Sequence, residues 1–168
     1  MRVEILPVTE ADIENIASLA RIIWQNTYIG IITQSQIDYM LEQRYSAEVM
    51  SEELKTPGIW WDKLLQDGQM LAFSSTLLTK CPGEVKLDKI YIHPEKQRLG
   101  LGGRLIEHVS QRALQSGKNS VILAVNKQNE KAINERRLTS MTKQITSLKD
   151  LISEVTFQRD QLLEKKEE

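Results

Sequence analysis

The spacing of apolar residues changes several times along the chain, and each change marks an element. Residues 2 to 8 (RVEILPV) read as a short strand. From Thr9 the period becomes helical. Ile13, Ile16, Ala17, Ala20 and Ile23 share one face down to about Asn26, and Asp12 is placed to close a capping box with Thr9. Gly30 breaks that run. Thr33 with Gln36 opens a second helix carrying Ile37, Met40 and Leu41, and a third, short helix runs from Ala47 to Lys55 and stops at Pro57-Gly58.

The texture then turns to strands. IWWDKLLQDGQMLAFSSTLL holds a hairpin signal, Asp67-Gly68, between two apolar-rich runs. CPGE, 81 to 84, is another turn, and VKLDKIYI alternates as a strand does. After a glycine cluster, Leu101, Leu105, Ile106, Val109 and Ala113 mark an amphipathic helix that Gly117 can end. SVILAV, 120 to 125, predicts a buried strand from its length and branched residues. The order is strand, helices, three strands, glycine loop, helix, strand, helix.

The pattern changes once more at Asn134. Leu138, Met141, Ile145, Leu148, Ile152, Val155 and Leu162 follow alternating steps of three and four, with Arg159 at an inner position. That is a heptad seam, and nothing breaks a helix between Lys127 and Lys166, which allows a rod of about 60 Å. Two regions are expected: a domain over 1–133 and a coiled-coil-like helical tail over 134–168, the tail joining copies of the chain into a homo-oligomer.

Composition narrows the function classes. The 168 residues are 40% hydrophobic and 27% charged, enough for a true core. A net charge of −1 argues against a nucleic-acid binder that depends on bulk phosphate attraction. No run approaches the roughly 18 apolar residues of a membrane span, and the start lacks a signal-peptide pattern, so a cytoplasmic location is expected. Cys81 is the only cysteine, which removes an internal disulfide or a cysteine-based zinc cluster.

The candidate chemistry lies in QRLGLGGRL, residues 97 to 105, where three glycines fall within four positions ahead of a helix. Bare amides at a helix N-terminus make an anion site. A Walker A loop needs Lys-Ser or Lys-Thr after the last glycine, but Arg104-Leu105 follows Gly103. A dinucleotide fingerprint needs glycine at 105, where Leu105 stands. Taken alone, the loop is either an oxyanion cradle or a tight turn without a ligand.

The wider window, KIYIHPEKQRLGLGGRLIEHV, resembles motif A of the GNAT superfamily of acetyl-CoA-dependent N-acetyltransferases. Gln97, Gly100 and Gly102 fill its signature behind a strand ending in Ile92 and a His93-Pro94 elbow. The resemblance extends over residues 1–133. It implies an α+β fold: a mixed, mainly antiparallel sheet flanked by helices, here lacking the family's last two strands and followed by the heptad helix. It implies acetyl-CoA as cofactor, its pyrophosphate held by the backbone of Arg98, Leu99, Gly100, Leu101, Gly102 and Gly103 beside Gln97. Its pantetheine arm would lie along the main chain of Ile90 and Ile92, with Asn129 contacting the cofactor by its side chain.

The implied activity is acetyl transfer to a small-molecule amine such as a polyamine. Asp88 is the candidate catalytic residue. By two-residue alternation it shares a face with Ile90 and Ile92, and it could act as base directly or through water; the plainer reading is a solvated strand face. Trp24, Tyr28 and Tyr39 are either acceptor-pocket residues or core. Two departures from the family pattern bear on turnover: Arg136 stands where relatives carry a tyrosine acid, and Ala124 where many carry a glutamate. They leave open a second reading, a non-catalytic coenzyme A-binding remnant or a coiled-coil assembly module.

Overall fold

A computed structural model of the chain describes residues 2–124; Asn129, Arg136 and the heptad segment lie outside them. Five strands form one sheet in the order of the sequence, β1 (Val3–Pro7), β2 (Ile59–Gln66), β3 (Gln69–Leu78), β4 (Glu84–Ile92) and β5 (Ser120–Leu123). The first four pair antiparallel, and β5 pairs parallel to β4. This is the mixed, mainly antiparallel sheet expected of the α+β class. None of the described helices is long and apolar enough to cross a membrane.

The local signals give the expected elements. Thr9 and Asp12 form the capping box, with the Thr9 N–H donating to Asp12 Oδ2 at 2.8 Å. A short 3-10 turn at Glu10–Asp12 leads into α1 (Ile13–Tyr28), which runs two residues past the expected end. Thr33 and Gln36 cap α2 (Gln34–Tyr45), and α3 (Ala47–Lys55) has the predicted bounds. Each such cap stabilises its helix by about 1 kcal/mol. The helix after the glycines, α4, spans Leu101–Gln115.

Helices cover both sheet faces. On one, α1 to α3 bury Ile16, Ile23, Trp24, Ile37, Tyr45 and Met50 against Trp61 and Phe73. On the other, Leu101 and Leu105 of α4 pack with Leu64, Leu71, Ala72, Ile90 and Ile92. Fully burying an apolar side chain of this size is worth about 1.5–3 kcal/mol, so the two clusters lock the sheet between its helices.

β5 departs from expectation. Ser120 and Ile122 are exposed, Ile122 at 40%, and only Val121 and Leu123 are partly buried. Its length and branched residues predicted a buried strand; its burial instead alternates, as in a strand covered on one face.

A second correction concerns β4. Ser75 pairs with Lys89 while its neighbour Thr76 pairs with Leu87, so Asp88 is an extra residue in a β-bulge. A bulge shifts the alternation by one. Ile90 and Ile92 therefore face α4, whereas Asp88 reaches Arg44 of α2 and Lys89 reaches Glu53 of α3. Asp88 does not share a face with Ile90 and Ile92.

Candidate active site

The glycine loop begins where β4 ends. The His93 N–H donates to the Leu71 carbonyl (2.8 Å), tying the elbow to β3, and His93 Nδ1 accepts from the Glu95 N–H (3.3 Å). His93 thus caps the 3-10 turn Pro94–Lys96. Gln97 Nε2 donates to the Ile92 carbonyl (3.3 Å), bracing the loop on the strand. Arg98 and Gly100 then adopt left-handed backbone, with φ of 64° and 78°. A non-glycine residue held there costs of order 1 kcal/mol or more and persists only where the surroundings require it.

Gly100 is the N-cap of α4, and no side chain caps the helix. The first helical bond runs from the Arg104 N–H to the Gly100 carbonyl (3.2 Å). The N–H groups of Leu101, Gly102 and Gly103 therefore have no partner among the described residues, and they point out of the helix start with the positive end of its dipole. Gly102 has a separate reason to be bare. A Cβ there would lie 3.2 Å from Ile92 Cδ1, so glycine lets α4 seat close to the end of β4.

Among the described residues, the strand beside the loop is paired along only part of one edge. β5 pairs only with Glu84–Leu87, so from Asp88 to Ile92 the outer edge of β4 has no strand partner among the described residues. From the bulge onward, β4 runs toward the uncapped start of α4 with no described strand on its outer side.

A charged cluster surrounds the bulge. Asp88 Oδ1 receives Lys86 Nζ at 2.8 Å, and Oδ2 receives Arg44 Nη2 at 2.9 Å and Lys89 Nζ at 3.1 Å. Burial pushes the Asp88 carboxyl up, but the Lys86 hydrogen bond and the charges of Lys89 and Arg44 outweigh it and hold it at about 2. Lys89 is only 2% exposed; its ammonium also approaches Glu53 (3.3 Å) and lies 4.7 Å from the Trp61 ring centre. Burying lysine is tolerated because carboxylates and a ring face replace its water.

Aromatic rings line the same side. Trp24 lies 4.6 Å from Tyr28, 6.2 Å from Tyr91 and 6.4 Å from Tyr45, measured between ring centres. Trp24 and Tyr28 therefore belong to one cluster, whereas Tyr39 is 63% exposed and stands outside those ring contacts. Tyr45 and Tyr91 join the cluster without having been singled out by the sequence. Cys81 is exposed in its turn. Arg44, Lys86, Lys89 and Glu53 were also missed, because a charge on a helix or strand reads as solvated until its partner is known.

Residues 17–135 match the family model described as the acetyltransferase (GNAT) family. The chain belongs to the GNAT acetyltransferase family. An uncharacterized N-acetyltransferase of Lactobacillus delbrueckii subsp. lactis is 24% identical over 88% of this chain and 91% of its own length. Among solved structures, the PaiA N-acetyltransferase of Thermoplasma acidophilum in complex with coenzyme A superposes with a TM-score of 0.77 at 22% identity, covering 83% of this chain and 89% of that one. An aminoglycoside 6'-N-acetyltransferase of Acinetobacter baumannii gives 0.62 at 16% identity, over 82% and 88%. This acetyltransferase is accordingly acetyl-CoA-dependent.

Proposed function

We propose that this acetyltransferase transfers an acetyl group directly to a small-molecule amine at the bulge of β4. The carrying observation is that three helix amides with no partner among the described residues, Leu101, Gly102 and Gly103, follow closely in the chain on Asp88 to Ile92, the part of β4 that no described strand pairs on its outer side. Acetyl-CoA supplies an activated acetyl thioester. In this reading the backbone of Arg98 to Gly103 holds its pyrophosphate, Gln97 braces that loop, and the main chain at Ile90 and Ile92 orients the arm. In the same reading a backbone amide near Ile92 stabilises the developing oxyanion charge. Asn129 is assigned a cofactor contact by family resemblance alone.

In this reading proton removal from the acceptor is not assigned to Asp88, whose two oxygens already accept from Lys86, Arg44 and Lys89. An alkyl ammonium titrates near 10.4, and passing its proton to a carboxylate held at about 2 costs roughly 11 kcal/mol at about 1.4 kcal/mol per pKa step. Releasing it to solvent at pH 7 costs roughly 5 kcal/mol on the same scale. Asp88 instead fixes Arg44 and Lys86 beside the acceptor, as a positioning residue.

The non-catalytic alternative predicts cofactor binding without turnover. Calorimetry with acetyl-CoA, beside a thiol-release assay on an amine panel, separates the two. Binding with release supports the enzyme; binding alone supports the remnant; the absence of binding removes both.

A further inference from the structure

The acceptor side of β4 is built mainly of hydrogen-bond donors, and its carboxylates are already engaged. Both oxygens of Asp88 are taken, Oδ1 by Lys86 and Oδ2 by Arg44 and Lys89. Glu53, the other carboxylate of the cluster, accepts from Trp61 Nε1 (2.8 Å) and Lys89. An incoming ammonium would have to displace a cation tethered to the chain from either one. A polyamine would bring several positive charges to a place where Arg44, Lys86 and Lys89 already outnumber Asp88 and Glu53.

Donors are in surplus. Arg44 uses only Nη2 on Asp88, so its Nη1 and Nε have no partner among the described residues, and its side chain remains 30% exposed. Beside it, the Trp24 indole N–H and the Tyr45 hydroxyl are buried with no hydrogen-bond partner of ordinary geometry among the described residues, although Trp24 and Tyr91 lie near enough to Tyr45 to act on its hydroxyl. Buried polar atoms in native proteins almost always have a partner, so two together call for one. Indole and guanidinium groups can only donate. Burial raises the Tyr45 and Tyr91 phenols, which therefore stay protonated.

From this arrangement we propose that the acceptor amine carries its own carboxylate, as an amino acid does. That carboxylate is anchored by the free face of Arg44, with the Trp24 and Tyr45 donors beside it. The guanidinium fork matches a carboxylate bidentately, which a lysine cannot do. The proposal rests on the acetyltransferase reading and narrows its acceptor away from polyamines.

The test uses the full chain, acetyl-CoA, the twenty amino acids, their carboxamides and spermidine, followed by thiol release. The expected result is turnover of at least one amino acid, with its carboxamide and spermidine at least about tenfold poorer in kcat/KM. Arg44→Gln should raise KM for that amino acid about tenfold or more with a smaller change in kcat. Arg44→Lys should fall between the two, and calorimetry should give an unchanged acetyl-CoA Kd for both variants. Preference for spermidine or for the carboxamides, or binding of acetyl-CoA with no amino acid turned over, overturns the proposal while leaving the cofactor reading intact. Unchanged KM in Arg44→Gln overturns it equally. Failure of the wild-type chain to bind acetyl-CoA would sink both.

Discussion

Replacing Asp88 by asparagine tests the electrostatics of the bulge. The carboxyl titrates at about 2 in the folded chain against 3.8 for an ordinary aspartate. That drop corresponds to about 2 kcal/mol of folding free energy. The side chain is only 13% exposed, so solvent screens the contribution little. The sign follows from the depressed value: the contribution is complete above pH 4 and is lost as pH falls through 2. Asp88→Asn also leaves Arg44, Lys86 and Lys89 without their shared anion. At pH 7 the variant should be less stable by about 2 kcal/mol, a Tm lower by about 4–8 °C for a domain of this size. Urea unfolding of both proteins at pH 7, 4 and 2.5 measures the gap, which should narrow at the lowest pH as the wild-type carboxylate begins to protonate. A gap that is absent at pH 7, or as wide at pH 2.5 as at pH 7, would refute the ion-pair account.

Other substitutions address other parts of the molecule. Gly102→Leu drives a side chain against Ile92 Cδ1, already 3.2 Å from a bare Cβ, and should weaken acetyl-CoA binding at least about tenfold by displacing the helix start; calorimetry reads the loss, and circular dichroism should show the fold kept. Arg112 holds the fully buried Asp62 through two bonds of 2.6 and 2.5 Å, with His108 at 3.3 Å. Arg112→Met strands that carboxylate and should cost about 3–5 kcal/mol in chemical denaturation. Removal of residues 138 to 168 takes away the heptad seam and should lower the number of protomers per particle found by light scattering; an unaltered number would refute its role in assembly.

Features set by neighbours in sequence were legible from the sequence. The capping boxes at Thr9–Asp12 and Thr33–Gln36, the Asp67-Gly68 hairpin and the glycine loop each depend on residues within a few positions. Features set by distant partners were not. The bulge at Asp88 is invisible in VKLDKIYI because only the register with Ser75 and Thr76 reveals the additional residue. Asp62 looks like a solvated strand charge until α4, some 50 residues on, supplies Arg112. Arg44 lies 44 residues before Asp88 on a helix of weak amphipathicity, and nothing local marks it. β5 carries the composition of a buried strand, but its alternating burial depends on which distant elements cover each face.

Residue 88 is one the ladder does not need. Without it, Val85, Leu87, Ile90 and Ile92 would fall on a single unbroken alternation, and β4 would zip to its neighbour with no irregular step. A chain lacking that position should therefore make a tidier and firmer sheet while losing the bulge at which, on the function proposed above, a thioester meets its acceptor. On that proposal rigidity and catalysis pull against each other at one codon, and screens that select only for thermal robustness would be expected to erase it.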